Sequence, residues 1–185
     1  PAECHKAASG SFAGNSRYRR LVLPEHVKEV GQGAFRRCDH LEEVRILSCE
    51  VRSLGEDPFD GCRNLARVTA CAVAPDHFAD EKIQIAAALG FGAEYERYEE
   101  ETAAQYRAFI ADRIVEVTQA AIDRQLTDSF RYLTSENAIS ARQLPRILEY
   151  AQQKKQMEMG ARFQREDGRI VLRNFGGQKK KRTAY

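Results

Sequence analysis

An α+β fold is predicted for this chain: a short solenoid of three to four coils with a narrow parallel sheet, followed by an α-helical bundle. Three observations predict it. A pattern repeats at a fixed spacing in the first part, since Val30-Gly31, Ala34-Phe35, Cys38, Leu41, Val44 and Ile46 return 24 residues later as Leu54-Gly55, Pro58-Phe59, Cys62, Leu65, Val68 and Ala70. A weaker copy lies 23 residues upstream at Ser11-Phe12, Asn15, Tyr18, Leu21 and Leu23. The pattern changes after Pro75 from strand alternation to three- and four-residue apolar steps. A period of roughly 20 to 29 residues belongs to solenoids whose coils cannot bury their apolar faces alone and must stack.

Each coil is expected to hold one short strand, over 21–23, 44–47 and 68–71. Alternation is clearest in the second, with Val44 and Ile46 on one face and Glu43 and Arg45 on the other. A second extended piece follows over 27–30 and 51–54. Gly31 and Gly55 end it, where a positive φ or close packing requires glycine. Phe35 and Phe59 are expected to fill the centre of successive coils, with Phe12 in the weaker copy.

Beyond Pro75, Ile83, Ala86, Ala87 and Leu89 suit a short helix that Gly90 and Gly92 would stop. An acidic stretch over 94–101 precedes a stripe of Tyr98, Thr102, Tyr106, Phe109 and Ile110, continued by Ile114, Val117, Ala121 and Ile122. Tyr95, Tyr98 and Tyr106 are read as helix packing in preference to a contact surface. A shorter helix carries Phe130 and Leu133. Another spans 140–152, with Ser140 and Gln143 as a capping box. Pro145 favours the first helical position and moves its start toward Leu144. A last helix is expected over 154–165. Asp167-Gly168 is a turn signal, and residues 170–172 form a brief strand or extended tail. The resulting division is a solenoid over 1–79, a helical domain over 80–166, and an extended or disordered basic tail over 167–185. That tail includes Lys179, Lys180, Lys181 and Arg182.

These repeat residues resemble the BspA-like, or Treponema-type, leucine-rich repeat family over residues 7 to about 74. Phe59-Asp60-Gly61-Cys62 matches its Phe-x-Gly-Cys segment especially well. The departures are Asn15 for Cys, Arg37 for Gly, Pro58 for Ala, and a third strand weakened by Ala70 and Cys71. The helical half is similar to an ankyrin-like helical extension found on some bacterial members, through Ala120-Ala121-Ile122-Asp123, Phe130-Arg131-Tyr132-Leu133 and residues 144–151. The resemblance implies a protein-interaction scaffold. Several members are surface antigens associated with adhesion, and the motif carries over no catalytic residue.

Composition and motifs narrow the function. A formal net charge of +2 over 185 residues offers no global attraction for nucleic acid. No apolar run is long enough to cross a membrane as a helix. There is no G-x-S-x-G, P-loop, H-E-x-x-H or dinucleotide glycine pattern, so no enzyme, cofactor or small-molecule substrate is expected. The five cysteines are an odd number, which argues against a complete disulfide framework. Cys38, His40, Cys62 and Cys71 contain no C-x-x-C pair, so buried thiols are expected where a zinc site could be imagined. The expected function is a non-catalytic protein–protein interaction module, with a structural or adhesion domain of a larger bacterial surface protein as the alternative. The candidate partner-binding residues are the outward columns of the strand face: Arg20, Glu43, Arg45, Arg67 and Thr69. A cytoplasmic location is expected for the chain as given, and the cell surface if a signal peptide precedes Pro1.

Overall fold

The computed structural model describes residues 6–51, 53–135, 139–154, 161–166 and 169–174. The repeating half winds as a solenoid with two parallel sheets. Strands β1 (Lys6–Ala7), β3 (Glu29–Val30) and β5 (Ser53–Leu54) form one, in the order β1-β3-β5. Strands β2 (Arg20–Leu23), β4 (Glu43–Ile46) and β6 (Arg67–Ala70) form the other, in the order β2-β4-β6. The register follows the sequence repeat. Arg20 pairs with Glu43 and Glu43 with Arg67, while Leu21, Val44 and Val68 lie one above another.

The turns between these strands supply a third ladder. In the first pair of coils, the Phe12 and Gly14 amides donate to the Ala34 and Arg36 carbonyls, both at 2.8 Å. In the next, Phe35 and Arg37 donate to Pro58 and Asp60 at 2.9 and 2.7 Å. Backbone groups on all three sides of a coil are thus satisfied by its neighbours, which is why a single coil is not a stable unit.

The phenylalanines form a continuous column inside. Phe12 and Phe35 lie 5.3 Å apart at 15°, and Phe35 and Phe59 lie 5.4 Å apart at 13°. Phe78, from beyond the repeat, ends the column 6.1 Å from Phe59 and tilted by 43°. Cysteine at the repeat position is also explained. The Cys38 thiol donates to the Phe12 carbonyl and the Cys62 thiol to the Phe35 carbonyl, both at 2.9 Å. Burial pushes the Cys62 thiol up to about 12, so it keeps the proton it donates.

Gly31 and Gly55 are required by close approach and not by a positive φ. A Cβ on Gly31 would sit 2.4 Å from the Ser9 nitrogen, and one on Gly55 would sit 2.3 Å from the Gln32 nitrogen. Positive φ occurs in the turns instead, at two positions per coil: Gly10 and Gly14, Gly33 and Arg37, Asp57 and Gly61. Arg37, at φ 55°, occupies a left-handed position that glycine holds in the coils on either side.

Among the described residues, five α-helices follow a 3₁₀ turn at Pro75–His77: α1 (Glu81–Glu94), α2 (Glu100–Asp112), α3 (Ile114–Asp123), α4 (Thr127–Ser135) and α5 (Leu144–Gln153). Asp80 caps α1, its carboxylate accepting from the Lys82 amide at 2.8 Å. Gly90 and Gly92 do not stop α1 as expected; the helix runs on to Glu94. Both glycines mark close packing. A Cβ at Gly90 would meet the Val68 carbonyl at 1.9 Å, and one at Gly92 would meet the Tyr132 ring at 3.2 Å. The long apolar stripe breaks at Arg113 into α2 and α3. Helix α5 starts at Leu144, with Pro145 in its first turn, and Gln143 Oε1 accepts from the Ser140 amide and hydroxyl at 3.0 and 2.7 Å.

Of the helix expected over 154–165, residues 155–160 lie outside the described residues, and residues 161–165 belong to a hairpin strand instead. Strand β7 (Ala161–Glu166) pairs antiparallel with β8 (Arg169–Asn174), which lies alongside α4. Ala161 and Phe163 on one strand, separated by Arg162, and Ile170 and Leu172 on the other lie two residues apart, the period of a strand. The basic run 179–182 lies outside the described residues.

A non-glycine residue in the left-handed region costs roughly 1–2 kcal/mol, part of which glycine gives back in unfolded-chain entropy. Arg37→Gly is therefore expected to raise unfolding stability by up to about 1 kcal/mol. Urea denaturation of the two proteins checks this, and an unchanged or lower midpoint would contradict the strain assigned to that turn.

Candidate interaction surface

Parallel strands send the amide and carbonyl of alternate residues to opposite sides. At β6, the Ala66 and Arg67 amides both donate to the Glu42 carbonyl, placing residues 67 and 69 toward β4, while residues 68 and 70 and the Ala66 carbonyl face the free edge. The helical half covers that edge group by group. Arg124 Nη1 donates to the Ala66 carbonyl at 3.1 Å, Gly90 lies against the Val68 carbonyl, and the Ala70 amide donates to the Tyr98 hydroxyl at 3.2 Å. The other sheet ends similarly, with His77 Nε2 donating to the Leu54 carbonyl at 2.8 Å. Tyr106 adds a bond from its hydroxyl to the Val73 carbonyl at 3.0 Å. Phe91 stacks on Tyr106 and meets Tyr98 and Tyr132 edge-on. Tyr98 and Tyr106 are thus packing residues, and burial raises both phenols.

A charged clamp reinforces this seal. Arg45 of β4 reaches Glu94 at the end of α1 in a bidentate pair of 2.6 and 2.9 Å. Arg97 meets the same carboxylate at 2.7 Å and also donates to the Leu47 carbonyl at 2.7 Å. Burial alone pushes the Glu94 carboxyl up, but the two guanidiniums outweigh it and hold its pKa below the ordinary 4.5.

The five candidate binding residues therefore have different fates. Thr69 is 0% exposed under the helical half, and its hydroxyl has no hydrogen-bond partner, so it lines no open surface. Thr69 stands in register with half-buried Arg45 and exposed Val22, but a helix packs over the third strand, which the repeat pattern does not reveal. Arg45 is committed to the clamp. Glu43 accepts from Arg67 at 2.6 Å, and Arg20 lies 3.7 Å from its other oxygen, so these three form one ionic column up the sheet. Of the five, Arg20 is the most open, its side chain 78% exposed.

The exposed large apolar side chains among the described residues are Tyr18, Val22 and Tyr95. Two belong to the first coil. Tyr18 is 49% exposed, although its repeat equivalents Leu41 and Leu65 are buried, and Val22 is 50% exposed beside Arg20. The sequence signal was present in the pattern itself: Tyr18 occupies a core position of the repeat. No group of three or more metal-ligating side chains occurs among the described residues, and no helix there is long and apolar enough to cross a membrane.

Residues 1–73 match the profile of the BspA type leucine rich repeat region. No curated protein and no solved structure matches the chain. The matched span ends before the helices, so an ankyrin-like character of that half has no support beyond the presence of the helices.

Two outcomes follow from the seal. A carboxylate with a lowered folded-state pKa contributes stability above its unfolded value and loses it as the pH falls through the folded one. The urea midpoint of the native chain should exceed that of Glu94→Gln by a constant margin at neutral pH, and the margin should shrink below pH 4.5. A margin independent of pH down to acid unfolding would remove the clamp. Thr69→Val, which removes an unpaired buried hydroxyl at nearly constant shape, should stabilise by about 1 kcal/mol in the same measurement.

Proposed function

From the premise that residues 1–73 are a BspA-type leucine-rich repeat region, we propose that this chain is a non-catalytic module that binds another protein. Such repeats serve generally as interaction modules and are typically non-catalytic. The binding surface proposed is the exposed part of the strand face in the first described coil, Arg20 with Tyr18 and Val22. Glu43 and Arg67 hold Arg20's column in place from beneath. Thr69 is not part of this surface, and Arg45 acts within the molecule.

One observation carries the reading: among the described residues, Tyr18, Val22 and Arg20 are exposed on the strand face, whereas its third strand is covered by helices. The helices occupy the β6 edge, whereas the first coil presents two large apolar side chains and a guanidinium to solvent. A tyrosine and an arginine flanked by polar residues are the side-chain types that dominate protein interfaces.

The test is affinity capture from the native source with the full chain and with Tyr18→Ala/Val22→Ser. Both substituted side chains are half exposed, so the variant should fold, and its circular dichroism should match the parent. Loss of a specific captured protein with the fold intact supports the surface. Equal capture by both chains would move the interface elsewhere.

A further inference from the structure

The cysteines of the described residues fall into two kinds. Cys38 and Cys62 repeat a core position, and each buried thiol donates to a phenylalanine carbonyl of the preceding coil, out of reach of a reagent in solution. Cys49 and Cys71 share no repeat position. Cys49 is exposed, Cys71 is buried, and both are free thiols.

These two meet at Arg97 and Tyr98. Ile46 pairs with Ala70 across β4 and β6, so Leu47 and Cys71 are the first residues beyond the two strands. Arg97 holds the chain leaving β4. Its guanidinium donates to the Leu47 carbonyl at 2.7 Å, and its own carbonyl accepts from the Cys49 thiol at 3.8 Å. Tyr98 holds the end of β6, its hydroxyl accepting from the Ala70 amide at 3.2 Å. Cys49 lies in the turn at residues 49–50. From there its thiol reaches the neighbouring coil and hydrogen-bonds the Cys71 thiol. The Arg97 guanidinium, already tied to Glu94, lies within electrostatic reach of both sulfurs.

We propose that Cys49 and Cys71 are an oxidisable pair, a site of modification by peroxide that closes a disulfide between the turn after β4 and the end of β6. The division of labour follows from exposure. Burial, and then the neighbouring Cys49 thiol, push the Cys71 thiol up to about 12 against the pull of Arg97, so Cys71 offers almost no thiolate to an oxidant. Cys49 is the sulfur that solvent reaches. Its thiolate attacks one oxygen of hydrogen peroxide, the O–O bond breaks, and hydroxide leaves to take up the thiol proton as water. Cys49 is then a sulfenic acid. The Cys71 sulfur attacks the Cys49 sulfur, the S–O bond breaks as the S–S bond forms, and the departing hydroxide leaves as water with the Cys71 proton. Two thiols thus give two electrons to one peroxide, with one disulfide and two waters as products. The fold supplies the proximity that makes the second step intramolecular.

The sequence allows a direct test, because trypsin sites place each cysteine on its own peptide: Cys49 on residues 46–52, Cys71 on 68–82, Cys38 on 38–45 and Cys62 on 53–63. The reduced full chain is treated with hydrogen peroxide, blocked with N-ethylmaleimide in denaturant, digested without reductant and read by mass spectrometry. The expected product is peptide 46–52 joined to 68–82, with Cys38 and Cys62 recovered as maleimide adducts. Cys49→Ser, a change at an exposed position, should abolish that product and leave Cys71 as an adduct. In Cys71→Ala, with circular dichroism matching the parent, the Cys49 sulfenic acid has no thiol beside it. Dimedone should then label Cys49 several-fold more than in the native chain. Denaturing urea during oxidation should replace the single link by mixed pairings.

A Cys49 carried to sulfinic or sulfonic acid while Cys71 stays a thiol would overturn the proposal. So would a dominant link through Cys38 or Cys62, or equal dimedone labelling of the native chain and Cys71→Ala. The same link formed at the same yield in urea would remove the role assigned to the fold and overturn it too.

Discussion

The termination of a hydrogen-bonded stack governs this molecule. Each coil hands its backbone amides and carbonyls to the next on three sides, so the last coil is left with a row of unsatisfied groups facing outward. Leaving such groups buried without partners costs on the order of 1–3 kcal/mol each, and leaving them exposed invites association with other chains. The helical half resolves this by aiming individual side chains at individual carbonyls and amides: Arg124 at Ala66, Tyr98 at Ala70, His77 at Leu54. Phe78 closes the phenylalanine column in the same way for the apolar interior. The helical half thus supplies partners to the last coil's backbone and apolar interior.

That arrangement explains several choices that are unfavourable in isolation. Glycine inside a helix costs about 1 kcal/mol relative to alanine, yet Gly90 sits mid-helix because only a residue without a Cβ lets α1 reach the Val68 carbonyl. Glu94 is partly buried, and its charge is tolerated because Arg45 and Arg97 converge on it from the solenoid side and from its own helix end. The clamp and the close approach support each other: the first fixes the end of α1 over the second strand, the second fixes its middle over the third.

Among the described residues, the first and third strands of the β2-β4-β6 sheet then differ in their surroundings. Beside β6, the Ala66 carbonyl, the Ala70 amide and the phenylalanine column meet partners from beyond the repeat. At the β2 end, a core-position tyrosine, a valine and an arginine remain open. The strand face as a whole is narrower than its sequence columns imply, because half of it is used to hold the helices.

The sequence by itself determined the coils. The offset of 23 and then 24 residues fixed the strand register, the alternation in β4 fixed which face is buried, and the positions of Phe12, Phe35 and Phe59 fixed the column. These features are local and repeated, so each copy reports on the others. The existence of most helices was legible for the same reason, since apolar spacing within one element is a property of that element. What the tertiary structure alone decided is what crosses between elements of different kinds. Thr69 reads as an outward strand residue and is buried by a helix that begins more than ten residues later. Gly90 and Gly92 read as stop signals and are contact points, and residues 161–166 read as the end of a helix and pair as a strand. Arg45 reads as a free surface charge until Glu94 arrives from 49 residues away. No periodicity encodes such meetings, because they depend on the direction in which the chain leaves the last coil.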